Sequence, residues 1–117
     1  MPGVVRRFLR RLASSDADLA AELLAEDSRS IGARPLAEAR VRERVHARGV
    51  LRSITVTPGG HRLEAELNDG SGSVVLIWMG RQLIPGVEAG RTLDVRGTLT
   101  VSGGRRVIFN PAYEIRP

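Results

Sequence analysis

Three clusters of turn residues cut the C-terminal two thirds of this chain into short β-prone runs, and that punctuation limits the fold more than any other feature. Pro58-Gly59-Gly60, Asp69-Gly70-Ser71-Gly72 and Ser102-Gly103-Gly104 each separate stretches rich in Val, Ile, Leu and Thr. Gly and Asn/Asp supply the positive φ that tight β-turns need, so each cluster reads as a hairpin. The runs between them are residues 44–57, 61–68, 73–79, 91–101 and 105–115, which makes five strands. Hairpins imply antiparallel pairing, with the last strand expected beside the first.

Side chains alternate across a strand, so the pattern also assigns faces. In the second run Leu63, Ala65 and Leu67 point one way and Glu64 and Glu66 the other. In the fourth, Leu93, Val95 and Leu99 face in, and Asp94, Arg96 and Thr98 face out. The third run is apolar throughout, from Val74 to Trp78. A strand apolar on both faces is covered on both or meets a partner. Trp78 alternates with Val74 and Leu76 and is assigned to the core. The gap from Gly80 to Gly90 is too long for a tight hairpin. Arg81-Gln82-Leu83-Ile84 is expected to make one helical turn there before Pro85-Gly86. Three strands, a short helical connection and two strands form the order of a five-stranded Greek-key barrel.

The N-terminal region has another texture. Residues 1 to about 27 are rich in Ala, Leu, Arg and acids, with Val5, Phe8, Leu12, Leu19 and Leu23 at helical spacing. Ser15 followed by Asp16 and Asp18 looks like a helix start, so the segment is either two short helices or one long helix with a weak point. Residues 28–40, with Gly32 and Pro35, read as a linker. The organisation is therefore a helical extension and linker over 1–40 and a barrel over 41–117. The charges of the extension oppose the helix dipole, with Arg6, Arg7, Arg10 and Arg11 ahead of Asp16, Asp18, Glu22, Glu26 and Asp27. A partner surface would offset that misfit: the barrel's third strand at Val75 and Ile77, or a second copy of the chain. Contact with the barrel is the favoured arrangement, and anionic lipid the least favoured.

From Val45 to Ile115 the chain resembles the OB-fold nucleic-acid-binding family. It is similar to the versions in helicase wedge domains, anticodon-binding domains and small stand-alone bacterial proteins. Val45, Ala47, Gly49 and Leu51 open the first strand, Leu63 to Leu67 form the second, and Asn68 to Gly72 make the turn. Val74, Leu76 and Trp78 alternate in the third, Gly90 precedes the fourth and Gly97 lies within it. Ile108, Asn110 and Pro111 close the barrel. Gly49 and Gly97 are read as points of sharp coiling or bulging that let a short sheet close. The resemblance implies a mainly β, OB-type barrel that binds single-stranded DNA or structured RNA.

The chain has 117 residues, room for one domain, with a net charge of +5 and every one of its 18 basic residues an arginine. That balance fits an anionic partner. Arg48, Arg52 and His46 share the outward face of the first strand, Arg62 begins the second, Arg81 follows the third, and Arg105 and Arg106 sit on the last hairpin. Together with Phe109, which alternates away from Ile108, they are the candidate nucleic-acid rim: Arg48, Arg52, Arg62, Arg81, Arg105, Arg106 and Phe109. The alternative is a protein-interaction adaptor using the apolar outer face of the third strand, where Glu64 and Glu66 would repel phosphate. There are no cysteines, which removes disulfides, thiol catalysis and zinc ribbons and fits a cytoplasmic protein. His46 and His61 have no metal-ligand neighbours at useful spacing. The Asp69 turn lacks the Lys and following helix of a phosphate-cradling loop. No catalytic constellation, metal or cofactor is expected. No apolar run reaches the length of a membrane span, and no apolar stretch follows the N-terminal arginines as a secretory signal would require.

Overall fold

The computed structural model describes residues 16–30 and 32–117. A helix, α1 (Asp16–Ser30), leads through a 3-10 turn at Leu36–Glu38 into six strands. These are β1 (Arg44–Val56), β2 (Arg62–Asn68), β3 (Ser73–Met79), β4 (Thr92–Ser102), β5 (Arg105–Phe109) and β6 (Ala112–Arg116). The sheet order is β1-β2-β3-β5-β4-β6, and a β1–β4 ladder closes the first five into a barrel. This is the OB-type, mainly β architecture that the turn spacing predicts.

The strands follow the alternation of the sequence. Val45, Ala47 and Leu51 of β1, Leu63, Ala65 and Leu67 of β2, and Val74, Leu76 and Trp78 of β3 are buried in one cluster with Leu93, Val95, Leu99 and Ile108. The register of β1 against β2 shifts between Leu51 and Ser53, a bulge that bends the long first strand around the barrel. Gly49 lies just before it, where a Cβ would stand 2.4 Å from the carbonyl oxygen of Asn68. Only a residue without a side chain permits that approach.

Four expectations for the strands and their connections change. The last run, 105–115, is two strands rather than one, because the backbone breaks at Asn110 (φ 48°) and Pro111 has no N–H for a ladder. Asn110 latches the break: its N–H donates to the Ile77 carbonyl (2.6 Å) and its Oδ1 accepts from the Met79 N–H (2.9 Å). The strand beside β1 is β4, not the last strand. One pair, β3 with β5, runs parallel; β5 folds back from the β4 hairpin and must reach β3 in that direction to close the barrel. Finally, Arg81 to Ile84 form no helix. Gly80 (φ 70°) and Pro85 flank too short a segment to nucleate one, and Ile84 and Val87 turn inward to plug that end of the core.

The other end is closed by the N-terminal segment. α1 continues to Ser30, past the linker boundary read from sequence, and Ser28 is buried because its hydroxyl donates to the Arg48 carbonyl. Leu36 is fully buried in the barrel cluster. Its N–H donates to the carboxylate of Asp69 (2.8 Å), which also accepts from Ser71 N–H (2.9 Å), Ser71 Oγ–H (2.7 Å) and Gly72 N–H (3.0 Å). The β2–β3 turn thus turns its amides onto its own aspartate and serves as the anchor of the linker. The described helix rests on β1 and on this turn, rather than over Val75 and Ile77. The apolar stripe members Val5, Phe8 and Leu12 and the four N-terminal arginines lie outside the described residues.

Candidate nucleic-acid interface

Two outward faces of the barrel carry arginine, and the ladder registers say which residues share each. The first face spans the C-terminal half of β1, then β2, β3 and β5. Register places Ser53 and Thr55 beside Glu66 and Glu64, these beside Val75 and Ile77, and these in turn beside Val107 and Phe109. Glu64 is the pivot of the face. Arg105 reaches it across β3 (Nη1 to Oε1, 2.9 Å) and Arg62 approaches from its own strand (3.5 Å). The Arg105 contact is one of charge without hydrogen-bond alignment, since Glu64 Oε1 is buried and accepts no hydrogen bond. By register this bridge passes above Val75 and Ile77, and Ile77 is only 1% exposed. Phe109 stands at the end of β5 and is 41% exposed.

Of the seven residues singled out from sequence, Arg62, Arg105 and Phe109 lie on this face. Arg81 joins them at one barrel end, where the Gly80 N–H donates to the His61 carbonyl (2.7 Å). Arg52 is exposed at the β1 bulge on its margin. Arg62 and Arg105 share one carboxylate, while Arg52 and Arg81 make no ion pair among the described residues.

The structure sets Arg48 and Arg106 apart from this group. Arg106 points toward the linker end of the barrel, where its guanidinium donates to the carbonyls of Leu36 and Ala39 and ties the linker down. Arg48 lies on the second face and grips Asp94 in a fork: Nε to Oδ1 at 2.6 Å and Nη2 to Oδ2 at 3.0 Å. Asp27 of α1 approaches the same guanidinium at 3.7 Å. The hydrogen bonds from Arg48 hold the Asp94 carboxyl below its ordinary value against the opposing effect of burial. They hold Arg48 above its own. This side chain is a fastener between helix, β1 and β4.

The second face comprises the N-terminal half of β1, with β4 and β6. Its rows read Arg48–Asp94–Glu114, then His46–Arg96–Ala112, then Arg44–Thr98. The acids of the first row are both engaged, Asp94 by Arg48 and Glu114 by Arg116 (3.2 Å). Arg44 and Arg96 are exposed without an ion pair among the described residues. Sequence alternation puts Arg96 outward, but it does not bring it beside His46, because that requires knowing that β1 pairs with β4. Trp78 is buried, donates from Nε1 to the Pro111 carbonyl (3.3 Å), and meets the Tyr113 ring edge-on with centroids 5.6 Å apart. Among the described residues no group of three or more His, Cys, Asp or Glu is placed to hold a metal, and no helix is long and apolar enough to cross a membrane.

The closed five-strand barrel, the parallel β3–β5 pair and the outward groove over β2 and β3 define an OB-type fold. No protein-family model and no curated protein matches the sequence. Solved structures do match the fold. One is a chain of a replication protein A heterotrimer bound to ssDNA, with a TM-score of 0.54 and 18% identity over 74% of this chain and 74% of that one. Another is the Ifi202 HINa domain in complex with 20bp dsDNA, with a TM-score of 0.56 and 12% identity over 69% of this chain. The aligned part spans only 43% of that second chain.

Proposed function

We propose that this protein is a nucleic-acid-binding module that holds a single strand, of DNA or RNA, across the outer face of β2, β3 and β5. The observation that carries the reading is the pairing of an exposed ring, Phe109, with two guanidinium groups, Arg62 and Arg105, that share a single carboxylate. A base can stack on the ring, and phosphates can take the guanidinium groups from Glu64. Arg52 and Arg81 extend the positive margin. The solved structures of similar fold, one bound to ssDNA and one to dsDNA, support the ligand class. The reading assigns no catalytic step to the chain.

The adaptor reading is favoured by Met79, which is 50% exposed at the end of the same face beside Arg62. Against it, Ile77 offers no free area.

The test is an anisotropy titration with labelled single-stranded oligonucleotides at two salt concentrations. Phe109→Ala is expected to cost about 1–3 kcal/mol of affinity through lost stacking. Glu64→Gln is expected to tighten binding and steepen the salt dependence, because two arginines are released to phosphate. No binding at low salt, or binding indifferent to Phe109→Ala, refutes the reading.

A further inference from the structure

Two arginines of the second face, Arg44 and Arg96, make no ion pair among the described residues. Arg48 and Arg116 take both acids of their neighbourhood, Asp94 and Glu114. The next two rows, His46–Arg96 and Arg44–Thr98, contain no carboxylate. Arg44 and Arg96 stand there exposed on a diagonal, with Arg42 and Arg40 exposed just ahead of β1. Guanidinium groups and a hydroxyl, with an imidazole between them, make a donor-rich surface. Such a surface suits phosphate oxygens, and Asp94, Glu114 and the exposed Tyr113 border it beside His46 and Arg96.

The geometry points to a second anion-binding site on the outer face of β1 and β4, formed by Arg44, His46, Arg96 and Thr98, that takes the phosphate backbone of nucleic acid without regard to strandedness. The ligand class rests on the reading above; the residues do not overlap with it. The two faces differ in what they can read. The Phe109 face needs an unstacked base, and so a single strand. The Arg44–Arg96 face needs phosphates alone and accepts a duplex. A chain with both is suited to a junction, where one strand leaves a duplex.

The test uses two labelled probes, a blunt duplex and a single strand, with the double variant Arg44→Gln/Arg96→Gln, the single variant Arg96→Gln, Phe109→Ala, and Arg91→Ala as a control for net charge. The altered side chains are exposed, so melting curves are expected to match the parent. Duplex affinity at low salt is expected to fall at least tenfold in the double variant and by a smaller factor in Arg96→Gln. The slope of log affinity against log salt is expected to lose about 0.9 per phosphate contact removed. Phe109→Ala and Arg91→Ala should leave duplex affinity within twofold of the parent. Absence of duplex binding, duplex binding unchanged in the double variant, or an equal loss in Arg91→Ala overturns the site. Loss of duplex binding in the double variant with no single-strand binding by the parent upholds this site while defeating the Phe109 reading.

Discussion

Gly70 lies against the backbone of the N-terminal helix, and its replacement tests whether that contact is part of the folded core. A Cβ at Gly70 would stand 2.0 Å from the Ala21 carbonyl oxygen and 2.6 Å from the Ala25 nitrogen, both backbone atoms of α1. Helix backbone does not yield as a flexible side chain does, so Gly70→Ala must push the helix off the turn. The substitution also costs backbone strain, because φ is +91°. Gly90 supplies the control: its φ is +90° and nothing lies within 4 Å of its Cβ position. Gly90→Ala therefore costs the strain alone, on the order of 1–3 kcal/mol. Gly70→Ala should cost about 2 kcal/mol more. Roughly 1 kcal/mol of the excess is the Ser28 hydrogen bond to Arg48, and the rest is apolar burial and the Asp27 contact. Urea unfolding measures both variants, and hydrogen exchange reports on the α1 amides directly. In the Gly70→Ala background, Ser28→Ala should cost nothing further, although alone it costs about 1 kcal/mol. Equal losses for the two glycines, or α1 amides equally protected in both, would refute the docking argument.

Two further outcomes follow from the core and the fastener. Trp78→Ala is expected to cost about 3–5 kcal/mol, since the ring is buried and hydrogen-bonded to the Pro111 carbonyl; a loss under about 1 kcal/mol by urea unfolding would contradict its place in the core. The Arg48–Asp94 fork gives acid sensitivity of definite sign. Asp94 is held below its unfolded value of about 3.9, so its contribution is complete above about pH 4 and fades as pH falls through the folded value. The stability gap between the parent and Asp94→Asn should hold from pH 7 to about pH 5 and narrow below about pH 4. A gap that persists unchanged at pH 2.5 would show that the fork does not act through the carboxylate's charge.

Much of this barrel is legible in the sequence because its signals are local. The turns at Gly59–Gly60, Asp69–Gly72 and Gly103–Gly104 and the alternation of Leu63, Ala65 and Leu67 need only neighbouring residues to be read. Strand ends follow to within about a residue or two. The same locality explains the misses. The Asn110-Pro111 pair is a turn signal in its own right, but Val107, Ile108 and Ile115 on either side make one continuous β-prone run. Between β3 and β4, Ile84 and Val87 sit three residues apart and suit a helix stripe, yet Pro85 and Gly86 between them leave burial without a helix.

Function is less legible, because what decides it is which arginines are already in use. Arg48 and Arg52 are alike in sequence context, both outward-reading and both near the β1 glycine. Arg48 meets an acid 46 residues away on β4 and is 12% exposed; Arg52, displaced by the bulge, meets none among the described residues. Arg105 and Arg106 are adjacent, yet opposite faces of β5 send one to Glu64 on the groove and the other to the linker carbonyls. In sequence Arg96 is one outward residue beside Asp94; only the β1–β4 register brings it to His46. The net charge sets the sign of a partner. The pairing of strands far apart in sequence sets where that charge remains available, and among the described residues it leaves it on two faces: around Phe109, proposed above to stack a base, and around Arg96, proposed above to take a phosphate backbone.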